Sequence, residues 1–174
     1  KVCGELVTPR AVTALARSGI DLERVDGAHR VTHVRLTTAQ RNTSTRWPSH
    51  EEYPSHGFVV PRATLDTLLI DHARELGATV LSGHTALEPI VQRGFVRGAT
   101  IAPDIGEQHD IRAAFLVVAD GANSRFGRLL GTHREPTWPS AVAHRAVFRS
   151  QLHDAAEVEL VLGLRDRGGT GTTG

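Results

Sequence analysis

The sequence predicts a mixed α/β protein, and three patterns carry that expectation. Residues 61–77 repeat apolar side chains at helical spacing, and residues 85–111 fall into short strand-like runs. Residues 115–119 form a continuous apolar run that ends at Asp120-Gly121, with a short helical pattern following within four residues. A helix, then strands, then a buried strand turning into a helix is an α/β order.

In chain order, Thr8-Pro9 opens a short helix over 10–18 that Gly19 stops. Thr8 stands at the cap, proline fits the first helical position, and glycine takes the left-handed stop. Val12, Leu15 and Ala16 fall at helical spacing and face a core. Residues 30–38 alternate, Val31, His33 and Arg35 against Thr32, Val34 and Leu36, as in a strand exposed on one face. Residues 39–57 are polar, contain two prolines and read as a long connection. In the helix over 61–77, Leu65, Leu68, Leu69, His72, Ala73 and Leu76 form the apolar stripe, and Gly77 closes it. Residues 78–81 read as a short strand; 85–91, 95–101 and 105–111 have hairpin character. The run 115–119 suits a strand buried on both faces. Residues 124–130 read as a short helix stopped by Gly131, and 141–148 and 158–164 as further strands. The polar connection and the late strands are expected to belong to a second, smaller sheet.

Composition narrows the class. Leu, Ile, Val and Phe make up about 26% of the 174 residues. That exceeds the roughly 20% below which a chain buries too little apolar surface to fold. The longest apolar run, 113–119, falls far short of the ~18 residues that span a bilayer. No basic start leads into an apolar stretch, as a signal peptide would, so a soluble, cytoplasmic chain is expected. The formal net charge of +1 excludes the clustered basic excess of a nucleic-acid binder. Cys3 is the only cysteine, which excludes a disulfide framework and a thiolate zinc site. No metal is expected: the segment from His50 to His56 lacks the i, i+4 histidine spacing, and Pro54 breaks any helix there. Arg outnumbers Lys 19 to one, which fits either a GC-rich genome or a need for planar forks on phosphates and carboxylates. Methionine is absent even at position 1, so the chain is expected to be an internal fragment.

Four features bear on chemistry. In FLVVADGANSRFGRLLG (115–131) a carboxylate and a glycine stand where a strand ends and a helix begins. Ligands of open α/β sheets bind at such strand ends, and glycine lets backbone approach them; a plain corner capped by Asp120 accounts for the same residues. Arg62 lies in the first turn of the 61–77 helix, where a cation opposes the helix dipole, so an anion should offset it; a side chain reaching out to water is the alternative. Cys3-Gly4-Glu5 precedes the first helix, as a pocket edge or as a small buried hydrophobe beside a turn. Gly169 to Gly174 spells G-x-G-x-x-G, but charged residues separate it from the preceding strand and no helix follows, so it reads as a tail.

Three of these segments together resemble a family. KVCGELVTPRAVTALARSGI is similar to the Cys-Gly start of flavin-dependent reductases of the geranylgeranyl reductase family. GFVVPRATLDTLLIDHARELGATVL resembles the element whose arginine opens a long helix. FLVVADGANSRFGRLLG resembles the Asp-Gly motif of the wider class of aromatic-hydroxylase-like FAD monooxygenases. The resemblance covers roughly 60 residues directly, in the family's order.

What the resemblance implies is part of a Rossmann-like FAD-binding domain interleaved with a smaller β-sheet substrate domain. The incomplete FAD-binding domain would comprise 1–27 and 61–137, and the incomplete substrate-domain sheet 28–60 and 138–174. Cys3, Gly4 and Glu5 would lie near the isoalloxazine ring, with Cys3 as the flavin-proximal candidate for catalysis. Arg62 would lie in the FAD cleft, Ala86 near the adenine, and Asp120 and Gly121 at the turn close to the dinucleotide. The implied activity is FAD-dependent reduction of double bonds in a polyprenyl lipid, a geranylgeranyl group or a menaquinone side chain, with NADPH or ferredoxin as electron donor. Alternatives are an FAD-dependent monooxygenase of an aromatic substrate and an inactive remnant or binding protein. Contact with the inner face of a membrane is implied for the full-length parent. The family's opening G-x-G-x-x-G unit and its later Gly-Asp motif are not in this sequence, so the piece alone is expected to hold FAD weakly and to be inactive.

Overall fold

The computed structural model of the chain describes residues 4–132, 137, 144–149, 151 and 155–162. The backbone divides into two compact units, Lys1–Gly77 with Ala143–Gly174, and Ala78–Val142. The first contains β1 (Leu6–Val7), α1 (Pro9–Arg17), a single 3-10 turn (Leu22–Arg24), β2 (His29–Val31), β3 (His33–Thr37), β4 (Asn42–Arg46), β5 (Gly57–Val59) and α2 (Arg62–Glu75). The second contains β6 (His84–Gln92), β7 (Phe95–Pro103), β8 (His109–Arg112) and α3 (Arg125–Leu129); β9 (Glu157–Val161) then returns to the first. The architecture is mixed α/β.

Both expected helices of the first unit form. Pro9 opens α1, and the Ile20 amide donates to the Leu15 carbonyl at 2.9 Å across its end. Thr8 stands at the cap with extended backbone, but its hydroxyl bonds no first-turn amide; its carbonyl accepts from Val12 at 2.9 Å. Helix α2 buries Leu65 and partly buries Leu68, while Leu69 and Leu76 remain exposed, so the apolar stripe is covered only near its N-terminal end. The core beneath it is Val7, Ile20, Leu22, Phe58, Val60 and Leu65. Each fully buried side chain of this size contributes about 1.5–3 kcal/mol.

Strand β5 lies antiparallel between β1 and β2, pairing Val7 with Phe58 and Val31 with Gly57. A Cβ on Gly57 would stand 2.6 Å from the Val7 carbonyl oxygen, so only glycine lets the two backbones approach this closely. Beside this sheet His56 packs edge-on against Phe58 at 5.4 Å. Burial, helped by the Arg30 guanidinium, pushes its pKa below the ordinary histidine value.

The second sheet runs β4–β3–β9, with β3 antiparallel to β4 and parallel to β9. Arg35 Nε donates to Glu157 Oε2 at 2.8 Å, and the Ser44 hydroxyl donates to the same carboxylate. These bonds hold the Glu157 carboxyl below the usual carboxylate range. In the second unit β6, β7 and β8 form an antiparallel meander, as the hairpin-like runs predict. Ala99, Ile101 and Phe126 are buried together.

Four expectations need correction. Residues 39–57 are not one connection: they hold β4, and β5 begins at Gly57. Strand β4 (Asn-Thr-Ser-Thr-Arg) carries no apolar side chain and is held by its ladder to β3, so no hydrophobic periodicity betrays it. Residues 78–81 form no strand. Residues 115–119 are irregular rather than a buried strand, with Phe115 89% and Val117 87% exposed. A continuous apolar run becomes a buried strand only with strands alongside it, and no described strand bonds to 115–119. Of the strand expected over 141–148, residues 144–148 are irregular and 141–143 lie outside the described residues, as does the 169–174 tail.

In the whole protein Gly57→Ala is expected to cost about 1–3 kcal/mol, the range for forcing an atom into a packed space. Gly4→Ala, whose Cβ meets nothing within 4 Å, should stay within about 0.5 kcal/mol. Urea melts of the two variants check this; equal stability would show that the β1–β5 contact yields.

Candidate functional site

The ladder that brings β1 against β5 also builds a cavity. Leu6 pairs with Val59, and the Val60 amide donates to the Glu5 carbonyl at 2.9 Å. Glu5 therefore stands opposite a residue two positions before Arg62, the first residue of α2. Pro61, at the N-cap with an extended backbone, turns the chain from β5 into the helix. The result is a cavity of about 300 Å³. Gly4, Glu5, Leu6 and Val7 form one side, Ala11, Ala14 and Leu15 of α1 another, and Arg62 and Leu65 of α2 the third.

Two charged residues line this apolar space, and each has its partner elsewhere. Arg62 pairs through Nη2 with Asp66, one helical turn on. The Glu5 carboxylate pairs with Arg145. The anion beside Arg62 is thus, in the first place, Asp66 of the same helix, and not a bound anion. Asp66 does not exhaust the guanidinium: Arg62 Nε is buried and has no hydrogen-bond partner. Leaving a buried donor unmade costs about 1–3 kcal/mol. An apolar cavity with one orphaned donor is suited to a ligand that is largely flat and apolar but carries an acceptor atom. Among the described lining residues Glu5 and Arg62 are the charged groups, and the rest are small or apolar.

The other sequence-predicted residues lie in the second unit. Asp120 accepts from the Ser124 hydroxyl at 2.8 Å, and Ser124 Oγ accepts from the Gly127 amide at 2.6 Å, capping α3. Gly121 has φ +99°, a left-handed conformation that glycine adopts without strain. Ala86 lies in β6 opposite Ile101, with its side chain exposed. Cys3 lies outside the described residues. Sequence reasoning missed Asp66 and Arg145. Asp66 was legible, since i, i+4 charge pairs meet on a helix. Arg145, 140 residues from its partner, carried no local signal. Among the described residues no group of three His, Cys, Asp or Glu side chains could hold a metal ion.

The class follows from comparison with known proteins. The chain belongs to the FAD binding domain family, whose model matches residues 3–170, and FAD is its cofactor. It is 32% identical to the menaquinone reductase of Mycolicibacterium smegmatis over 144 residues, 82% of this chain and 34% of that protein. It is 39% identical to the digeranylgeranylglycerophospholipid reductase of Methanosphaerula palustris over 75 residues, 43% of this chain and 18% of that protein. Among solved structures it is similar to a geranylgeranyl bacteriochlorophyll reductase-like protein from Thermoplasma acidophilum. The TM-score there is 0.60 at 28% identity, covering 75% of this chain and 32% of that one. The chain spans about a third or less of the length of these relatives.

Proposed function

We propose that the whole protein is an FAD-dependent oxidoreductase that reduces double bonds in a polyprenyl lipid. The observation that carries this reading is the orphaned Arg62 Nε in an apolar cavity of an FAD-family chain. The relatives named for menaquinone and digeranylgeranylglycerophospholipid reduction direct the substrate class toward long isoprenoid chains. No helix among the described residues is long and apolar enough to cross a membrane. In this reading a lipid substrate is met at the inner face of a membrane.

The residues present fit the cofactor. Arg62 would donate from Nε to an acceptor on FAD, and the apolar lining of Leu6, Val7, Ala11 and Leu15 would shield that contact from water. Gly4 and Glu5, which line the cavity, would border the isoalloxazine; Cys3, the flavin-proximal candidate from the sequence, lies outside the described residues. By the family resemblance alone, Asp120 and Gly121 of the second unit would form a turn near the dinucleotide and Ala86 would offer backbone near the adenine. FAD, once reduced by a nicotinamide or ferredoxin donor, supplies the hydride; the protein supplies orientation and a dry space. In the complete fold, 1–27 and 61–137 form the Rossmann-like FAD-binding domain, and 28–60 with 138–174 the interleaved substrate sheet. The pairing of β3 with β9 supports the substrate sheet for residues 33–37 and 157–161. Residues 29–31 and 57–59 instead pair in one sheet with 6–7 of the proposed FAD-binding part.

The full-length protein, loaded with FAD and given NADPH in air with menaquinone or a geranylgeranyl lipid, should yield products that, after reoxidation of any quinol ring, have gained two hydrogens per reduced side-chain double bond. Mass spectrometry reads this directly. Products carrying an added oxygen atom would favour hydroxylation, and unaltered lipid would overturn the substrate assignment.

Arg62→Ala in the same protein should weaken FAD binding by roughly tenfold or more, since a hydrogen bond from a charged donor contributes about 1.5–3 kcal/mol. Apo stability should hold or rise, because removing the buried unmade donor relieves a cost of about 1–3 kcal/mol. The lost pair with Asp66 is worth only about 0.3–0.5 kcal/mol, and removing an orphaned donor and a cation from a helix N-terminus offsets it. FAD titration beside apo melts checks both halves. A large loss of apo stability with unchanged FAD affinity would make Arg62 a structural residue.

A further inference from the structure

Four charges surround the cavity, and their pairing is specific. Arg62 is neutralised by Asp66 on its own helix, and Glu5 by Arg145. Glu5 and Arg62 line the same cavity, yet each bonds a partner that does not line it. With both pairs formed, Arg62 Nε has no acceptor. The Glu5 side chain is only about a quarter exposed, so its carboxylate needs a compensating cation. Among the described lining residues, Arg62 is the cation that would replace Arg145.

We propose that Arg145 is a positioning residue that holds Glu5 off Arg62 and so keeps the Arg62 Nε donor open for FAD. The inference rests on the reading of the cavity as the cofactor site. Without Arg145, Glu5 turns to Arg62, supplies the missing acceptor and sets a negative charge against an anionic ligand. Arg145 then governs cofactor affinity without touching the cofactor. Its effect passes entirely through Glu5, and this separates it from a plain stabilising contact.

The test is a double-mutant cycle on the full-length protein, read by FAD titration with flavin fluorescence. Arg145→Ala in the otherwise native chain should weaken FAD binding on the order of tenfold. The same substitution added to Glu5→Gln should change affinity less than about twofold, because the neutral amide no longer competes for Arg62. Arg145→Lys keeps the charge and should stay near native affinity, and it serves if the alanine variant folds poorly. Equal weakening in both Glu5 backgrounds would overturn the proposal, since Arg145 would then act on FAD directly or on the fold. No weakening in either background would overturn it as well. If Arg62→Ala leaves FAD affinity unchanged, the cofactor reading itself has failed; if Arg62→Ala weakens binding and Arg145→Ala does not, only the present inference has.

Discussion

Three residue pairs of backbone contact, Leu6 with Val59, Val7 with Phe58 and Glu5 with Val60, hold the first unit in register. They seal Phe58 and Val60 into the core. The same contacts bring a loop carrying Gly4 and Glu5 beside the start of α2, so the core and the cavity are two sides of one ladder. Gly57 is where the two strands come closest. A side chain there would push β1 away from β5, and with it the wall that Glu5 contributes. The site thus depends on a backbone approach more than on any single side-chain bond.

Around that ladder the chain distributes charge so that one donor stays free. Surface ion pairs contribute little to stability, about 0–1 kcal/mol each. Here the value of the Arg62–Asp66 and Glu5–Arg145 pairs lies in their geometry. They direct two charges away from each other across an apolar space, which a ligand with an acceptor atom can then complete. The chain belongs to the FAD binding domain family, and the proposal above assigns that space to FAD.

How far the sequence alone led depends on the kind of signal each element carries. Helices α1 and α2 were legible because proline and apolar spacing mark them locally, and the β6–β7–β8 meander because turns separate its strands. Arg62 was legible as a charge in an unfavourable place. Strand β4 was not, since its five residues are polar and only the ladder to β3 holds them. Residues 115–119 misled, because an apolar run reports a wish to be buried and not the presence of neighbouring strands. Arg145 was invisible because its partner lies 140 residues away and nothing near it repeats.

The central claim is that the cavity between β1, α1 and α2 receives FAD through Arg62 Nε. A crystal structure of the full-length protein with FAD tests it most directly. An FAD oxygen or ring nitrogen is expected within about 3.2 Å of Arg62 Nε, with Glu5 still held by Arg145. FAD bound elsewhere, with Arg62 Nε still unpartnered, would contradict it.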